Sequence, residues 1–266
     1  MVLILASLLL LGAADARAGA LETLDAAAAG RFAGLRGASA EVRAPEGAPL
    51  AAPEPPDRAA DFPEVVPIEV GGSLCTATWI GPRALVTAAH CGFLLQGDVA
   101  RIRFAGMVLW ARVRRSPGYR GVGTHDVALL TLDRDVPGVR PASLGAMSVL
   151  HAMVTIAGYG EDMADQDRPP RLHAGTSAIS LFLSGPRIQL EEMSGDVARL
   201  GDSGGPVFLE SGGRRLLLGV ISTGNRRSWT RAIRLDDPLT LEFLRGAAAE
   251  AGVSVCGLGT DCGAPG

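Results

Sequence analysis

Gly201-Asp202-Ser203-Gly204-Gly205-Pro206 is the string on which the reading of this chain turns. Glycines on both sides of a serine allow a tight backbone turn that presents the hydroxyl and aims main-chain N–H groups at a common point. Such a turn can hold a nucleophile and an oxyanion hole together. A Gly-rich hairpin turn with a merely exposed serine fits the same residues, so the string has to be weighed with residues elsewhere in the chain.

A serine hydroxyl is a weak nucleophile near neutral pH and needs a base within hydrogen-bond reach. The chain has four histidines, His90, His125, His151 and His173. His90 lies in Thr87-Ala88-Ala89-His90-Cys91, directly after the apolar run Ala84 to Thr87, where a strand end would hold its ring. His151 and His173 stand in segments without comparable constraint and are expected at the surface. The third member should be a carboxylate that fixes the imidazole tautomer and stabilises its charged form. Asp126 opens Asp126-Val127-Ala128-Leu129-Leu130, an apolar strand start that would bury it beside a compensating neighbour. Alone it reads equally as a capping aspartate.

Chain order chooses among catalytic architectures. The serine string also fits G-x-S-x-G, the nucleophile elbow of α/β-hydrolases, but that fold needs an acid and then a histidine after the serine. No histidine follows His173. Subtilisin-like order would place the aspartate first, in an alternating α/β fold that the strand-rich pattern does not suggest. The order available is His90, Asp126, Ser203.

Outward from these residues the texture is apolar, β-branched runs broken by turn residues. Strands are expected at Glu64 to Val70, Leu74 to Ile80, Ala84 to Thr87, Val99 to Ala105, Met107 to Val113 and Asp126 to Leu132. A second set is expected at Met153 to Ala157, Thr176 to Leu183, Arg187 to Leu190, Pro206 to Leu209, Arg214 to Ile221 and Ser228 to Arg234. Asp237-Pro238 then opens a helix over Leu239 to Ala251, capped by Asp236 or Asp237 and stopped by Gly252. The expectation is an all-β chain of two small domains, 62–145 and 146–235, followed by a helix and tail over 236–266.

The composition agrees. With 266 residues, 47% hydrophobic and 20% charged, the chain is too apolar for general disorder, and 35 Gly and 17 Pro favour short strands and turns. The net charge is −3, all the side-chain cations that are always charged are arginines, and they form no continuous basic patch, which argues against nucleic acid. Val2 to Leu11 is an apolar run followed by small residues, and Ala16-Arg17-Ala18 supplies a cleavage pattern, so 1–18 reads as a signal peptide. Its n-region is only Met1, which leaves an uncleaved anchor open. Residues 19–61, rich in Ala, Gly and Pro, read as a pro-segment or linker; a short helix is conceivable only at about Leu21 to Phe32. Export makes disulfides plausible for Cys75, Cys91, Cys256 and Cys262, whose three possible pairings the spacing does not resolve. They are too dispersed for a zinc site.

The three motifs closely resemble those of the chymotrypsin-like (trypsin-fold) serine peptidases. Thr87 to Cys91 matches the family's histidine motif, His125 to Leu130 its aspartate motif with His125 in place of a usual Asn, and Gly201 to Pro206 its serine motif. Ala157-Gly158-Tyr159-Gly160 is similar to the segment opening the family's second barrel, and Gly219 to Gly224 to the strand that pairs with a bound peptide. Cys75-Thr76-Ala77-Thr78-Trp79-Ile80-Gly81-Pro82 resembles the bacterial, glutamyl-endopeptidase-like branch. The resemblance implies two six-stranded antiparallel β-barrels with a C-terminal helix. It implies His90 as general base, Asp126 as its orienting partner, Ser203 as nucleophile, and the Gly201 and Ser203 N–H groups as oxyanion donors. It also implies a Cys75–Cys91 disulfide, leaving Cys256 and Cys262 to close a small C-terminal loop.

The departures matter as much. Family activation commonly frees an apolar amino terminus that pairs with the aspartate matching Asp202, yet no Arg-Ile-Val-Gly-Gly is present. Val70-Gly71-Gly72 comes too late and reads as a hairpin turn, and Arg58, in the exposed linker, is a candidate cleavage point. The sequence alone names no partner for Asp202. The base of the primary pocket falls on Val197, next to Asp196, which would disfavour Arg and Lys side chains unless the register shifts by one. Ser222, Thr223 and Gly224 would bind the substrate backbone. Arg226 and Arg227 read as a solvated loop or a receiver of acidic side chains, Glu161, Asp162, Asp165 and Asp167 as a solvated loop rather than a calcium site, and Arg101, Arg103, Arg112, Arg114 and Arg115 as the wet face of strands. The expectation is a secreted or periplasmic, monomeric serine endopeptidase acting on protein or peptide substrates, with no cofactor, no metal and no membrane association after signal removal. The alternative is a catalytically silent binding module of the same fold.

Overall fold

In Met107–Arg115 the residues alternate between exposed and buried, with Leu109, Ala111 and Val113 turned inward and Val108, Trp110, Arg112 and Arg114 outward. A period of two on a single-faced strand demands a partner sheet that buries one face only, and the molecule supplies it by closing sheets into barrels. The computed structural model describes residues 56–70, 72–92, 99–147, 150–160, 170–194, 198–260 and 262. The expected leader at 1–18, the expected helix at 21–32 and most of the 19–61 segment lie outside the described residues.

The first barrel closes in the order β1 (Val65–Val70), β2 (Ser73–Gly81), β3 (Ala84–Thr87), β6 (Ala128–Thr131), β5 (Met107–Arg115) and β4 (Val99–Phe104), all neighbours antiparallel. β1 meets β2 with Val70 opposite Ser73 and returns to β4 at Ile68 opposite Ile102. The second runs β11 (Pro206–Ser211), β8 (Met153–Gly158), β9 (His173–Phe182), β10 (Arg187–Glu192), β13 (Trp229–Arg234) and β12 (Arg214–Gly224), and β12 pairs back onto β11. The two-residue strand β7 (Ser143–Leu144), which the sequence pattern did not announce, adds to β12 in parallel. Two six-stranded antiparallel barrels and a helix are therefore the fold.

Each barrel has its own apolar filling, around Trp79, Leu85 and Ile102 in the first and Ile179, Ile188 and Leu190 in the second. A third cluster joins them: Ile80, Val127 and Leu129 meet Phe208, Leu217 and Ile233, with Phe243, Leu244 and Ala247 of helix α1 (Pro238–Ala251) closing the seam. Of the two proposed caps, Asp237 accepts from the Thr240 N–H at 3.1 Å, while Asp236 is taken by Arg234 and the Met147 N–H. Gly252 ends the helix in the left-handed conformation, φ 62°. The Cys256–Cys262 bond closes the tail, and Cys256 donates its N–H to the Ile80 carbonyl, anchoring that tail on β2.

Asp126 is not part of β6, which begins at Ala128. His125 has φ 46° and its carbonyl accepts the Val127 N–H, so the chain makes a tight turn there and Asp126 escapes the ladder. β9 begins three residues earlier than the alternation suggested, at His173 opposite Gly158.

Candidate active site

The first barrel delivers a histidine and an aspartate to one place. β3 runs into a 3-10 turn over Ala89–Gly92, and the Cys75–Cys91 bond ties that turn to β2. The main-chain N–H of His90 donates to Asp126 Oδ1 at 2.9 Å, and its Nδ1 lies 2.7 Å from Asp126 Oδ2. A carboxylate is an acceptor only, so the proton belongs on Nδ1 and Nε2 is left as the basic nitrogen. Among the described residues Nε2 has no hydrogen-bond partner. The Asp126 side chain is 0% exposed and that of His90 22%. Burying a carboxylate costs several kcal/mol unless its lone pairs are met, and here a third donor, Ser222 Oγ, reaches Oδ2 at 2.5 Å. Ser222 in turn accepts the Gly123 N–H at 2.9 Å.

The serine turn comes from the second barrel and is gripped by the first. Gly204 has φ 83°, and a Cβ there would lie 2.0 Å from Thr87 Oγ1 and 2.4 Å from the Thr76 carbonyl, so only glycine fits. Thr76 on β2 makes the bridge: its N–H donates to the Ser203 carbonyl at 2.9 Å, its hydroxyl donates to the Gly201 carbonyl at 2.9 Å, and the same hydroxyl accepts the Tyr159 N–H at 3.0 Å. Cys91 Sγ is 3.6 Å from the Ser203 carbonyl, which puts Ser203 next to the histidine turn. The N–H groups of Asp202, Gly204 and Gly205 are all spent on backbone carbonyls. Among the described residues, those of Gly201 and Ser203 have no acceptor. The Ser203 hydroxyl and the His90 ring are not hydrogen-bonded to each other.

Asp202, between these two free N–H groups, is 1% exposed. Its Oδ1 accepts the Gly160 N–H at 2.7 Å and lies 3.0 Å from His173 Nε2, and its Oδ2 accepts the Arg199 N–H at 2.6 Å. His173 was expected at the surface; its side chain is only 11% exposed. The expectation failed because β9 starts at this residue and turns it toward the interior opposite Gly158.

Of the substrate-binding residues read from sequence, Thr223 and Gly224 pair with Arg231 and Thr230 of β13. Among the described residues no strand pairs with the other edge of Ser222 to Gly224, which leaves that edge open to an extended peptide. Val197 and Asp196 lie outside the described residues, as do Glu161, Asp162, Asp165 and Asp167. Asn225 Oδ1 accepts the N–H groups of Arg227, Ser228 and Trp229, so the arginine pair stands on a closed turn. His90 comes within 4.8 Å of both sulfurs of Cys75 and Cys91. Those sulfurs are bonded to each other, so they are not thiolate ligands. Thr76 was not singled out in the sequence. Its only signal there was its place beside Cys75.

A family model described as trypsin matches residues 54–235. No curated protein matches the chain.

Proposed function

The chain belongs to the trypsin family, and from that membership and the site's geometry we propose that it is a serine endopeptidase that cleaves exposed, extended segments of proteins through an acyl-enzyme. The observation that carries this reading is the 2.7 Å contact of His90 Nδ1 with buried Asp126 Oδ2, beside a serine turn whose Gly201 and Ser203 N–H groups are free among the described residues. In the proposed reaction, Ser203 Oγ attacks the scissile carbonyl carbon and its proton passes to His90 Nε2. Asp126 offsets the charge of the imidazolium, and the two free N–H groups stabilise the tetrahedral oxyanion. His90 then protonates the leaving amine as the C–N bond breaks. Water, deprotonated by the same nitrogen, then attacks the ester carbonyl, and His90 returns that proton to Ser203 Oγ as the acyl–oxygen bond breaks.

The peptide would add as a strand along Ser222 to Gly224. Val197 is proposed as the base of the primary pocket, where an apolar floor disfavours Arg and Lys side chains; digestion of a peptide library giving mainly cleavage after Arg or Lys would overturn that assignment. Export to the cell exterior or periplasm is supported by the apolar run at 2–11 and by two disulfides. Among the described residues no helix is long and apolar enough to cross a membrane. A monomer is proposed, with no cofactor.

The silent binding module is favoured by one observation, the missing hydrogen bond between the Ser203 hydroxyl and His90. Catalytic hydrogen bonds are often long without substrate and tighten when it binds, and a fluorophosphonate probe separates the readings. The enzyme is modified at Ser203 and loses labelling on His90→Ala. A protein that stays unmodified under conditions where trypsin reacts fully is the binding module.

A further inference from the structure

We infer that His173 is the positioning residue that holds the serine turn in working shape, so that this protein needs no freed amino terminus at Asp202. The inference rests on the peptidase reading above. Asp202 lies in the turn between the two N–H groups proposed as oxyanion donors, so the turn keeps its form only while that carboxylate is held. A buried carboxylate without a counter-charge or a full set of donors is strongly destabilising. Among the described residues three donors meet it from within the barrel: Gly160 N–H and His173 Nε2 on Oδ1, Arg199 N–H on Oδ2.

The box around the carboxylate is built for this arrangement. His173 stands opposite Gly158 across β8 and β9. A Cβ on Gly158 would lie 2.1 Å from Asp202 Oδ1, and one on Gly160 2.7 Å from it, so both glycines are what lets the carboxylate reach the imidazole. The described residues just ahead of β1 are fastened to the residue before His173. The Arg58 N–H donates to the Leu172 carbonyl at 2.9 Å, and Asp57 Oδ1 accepts the Leu172 N–H at 3.2 Å. That clamp grips the residue next to His173, so this segment braces the start of β9 from outside.

The sequence offers a direct test, because the chain contains no lysine. An acetylating ester therefore meets one kind of amine in the protein, the amino terminus, and hydroxylamine reverses any ester formed on hydroxyls. The fluorophosphonate labelling rate of Ser203 should be unchanged after complete acetylation of that amine. It should fall about 10- to 100-fold in His173→Ala, the range for losing one charge-assisted hydrogen bond, and recover in part in His173→Gln, which restores an N–H donor. In an Asp202→Asn background, His173→Ala should cost much less, since the buried charge is gone. A fold-independent view comes from hydrogen exchange: the Gly160 and Arg199 amides should lose protection in His173→Ala, keep part of it in His173→Gln, and be unaffected by acetylation. Loss of labelling on acetylation, or His173 variants that label and exchange like the parent, overturns the inference while leaving the peptidase reading intact. An untreated parent that never labels removes both.

Discussion

The hydroxyl of Ser222 donates to Asp126 Oδ2 at 2.5 Å, joining residues 96 positions apart in the chain and belonging to different barrels. The sequence assigns Ser222 only to the stretch of backbone that would bind a peptide. Its side chain does something else: it donates to a buried carboxylate and helps aim that carboxylate at His90. Ser222→Ala should lower the fluorophosphonate labelling rate about 10- to 100-fold, since hydrogen bonds to charged groups contribute about 1.5–3 kcal/mol. A labelling rate equal to the parent's would show that the His90 contacts suffice.

Thr76→Val removes a hydroxyl with almost no change of shape. The Tyr159 N–H then loses its acceptor and the Gly201 carbonyl its donor. Leaving such groups unsatisfied should cost about 1–3 kcal/mol in guanidinium unfolding. Labelling should slow as well, because of the two hydrogen bonds from Thr76 to the serine turn only that of its N–H to the Ser203 carbonyl would remain. A stable variant with slow labelling and one with both properties unchanged are readily told apart, and only the second contradicts the bridging role.

Removing the Cys75–Cys91 bond by a double substitution to alanine should destabilise the protein by about 3 kcal/mol, the loop-closure value for a bridge across some 16 residues. The loop it closes carries His90, so the thermal midpoint and the labelling rate should fall together. The equivalent change at Cys256 and Cys262, whose sequence separation is 6, should leave labelling unaffected.

Tyr159 supplies a pH prediction. Burial chiefly, and the charge of Asp57 in addition, push its phenol from 10.0 up to about 12. The folded value exceeds the unfolded one, so the neutral phenol's contribution to stability is complete below pH 10 and disappears as the pH rises through about 12. The other tyrosine, Tyr119, is also raised, by burial first and by Asp126 next. Phenolate absorbance should therefore show no half-titration at 10, and Tyr119→Phe should leave a single step near 12. A step at 10 in that variant would mean that Tyr159 is open to water.

Much of the architecture was legible because it rests on short-range rules. Alternation in Met107–Arg115 and the apolar run Ala84–Thr87 mark strands, and Asp237-Pro238 with Gly252 brackets a helix, each within a few residues of the feature it specifies. The candidate site was legible as three strings in a particular order; the contact of His90 Nδ1 with Asp126 Oδ2 is a feature of the folded chain that those strings do not specify. The strand β7 was missed because two residues carry no period. The early start of β9 was missed because His173 and Ala174 do not look like strand residues until Gly158 and Ala157 are set beside them.

By itself the amino-acid sequence determined the periods, the caps, the glycines at the serine turn and the order of the three side chains proposed to react. Those follow from local sterics and from the intrinsic reactivity of each group. Which donor meets which buried charge was decided only when the barrels closed. Ser222 reaches Asp126, Thr76 reaches Gly201 and His173 reaches Asp202 from 96, 125 and 29 positions away. A charge removed from water must find its partner in space, and no spacing along the chain records where that partner will be.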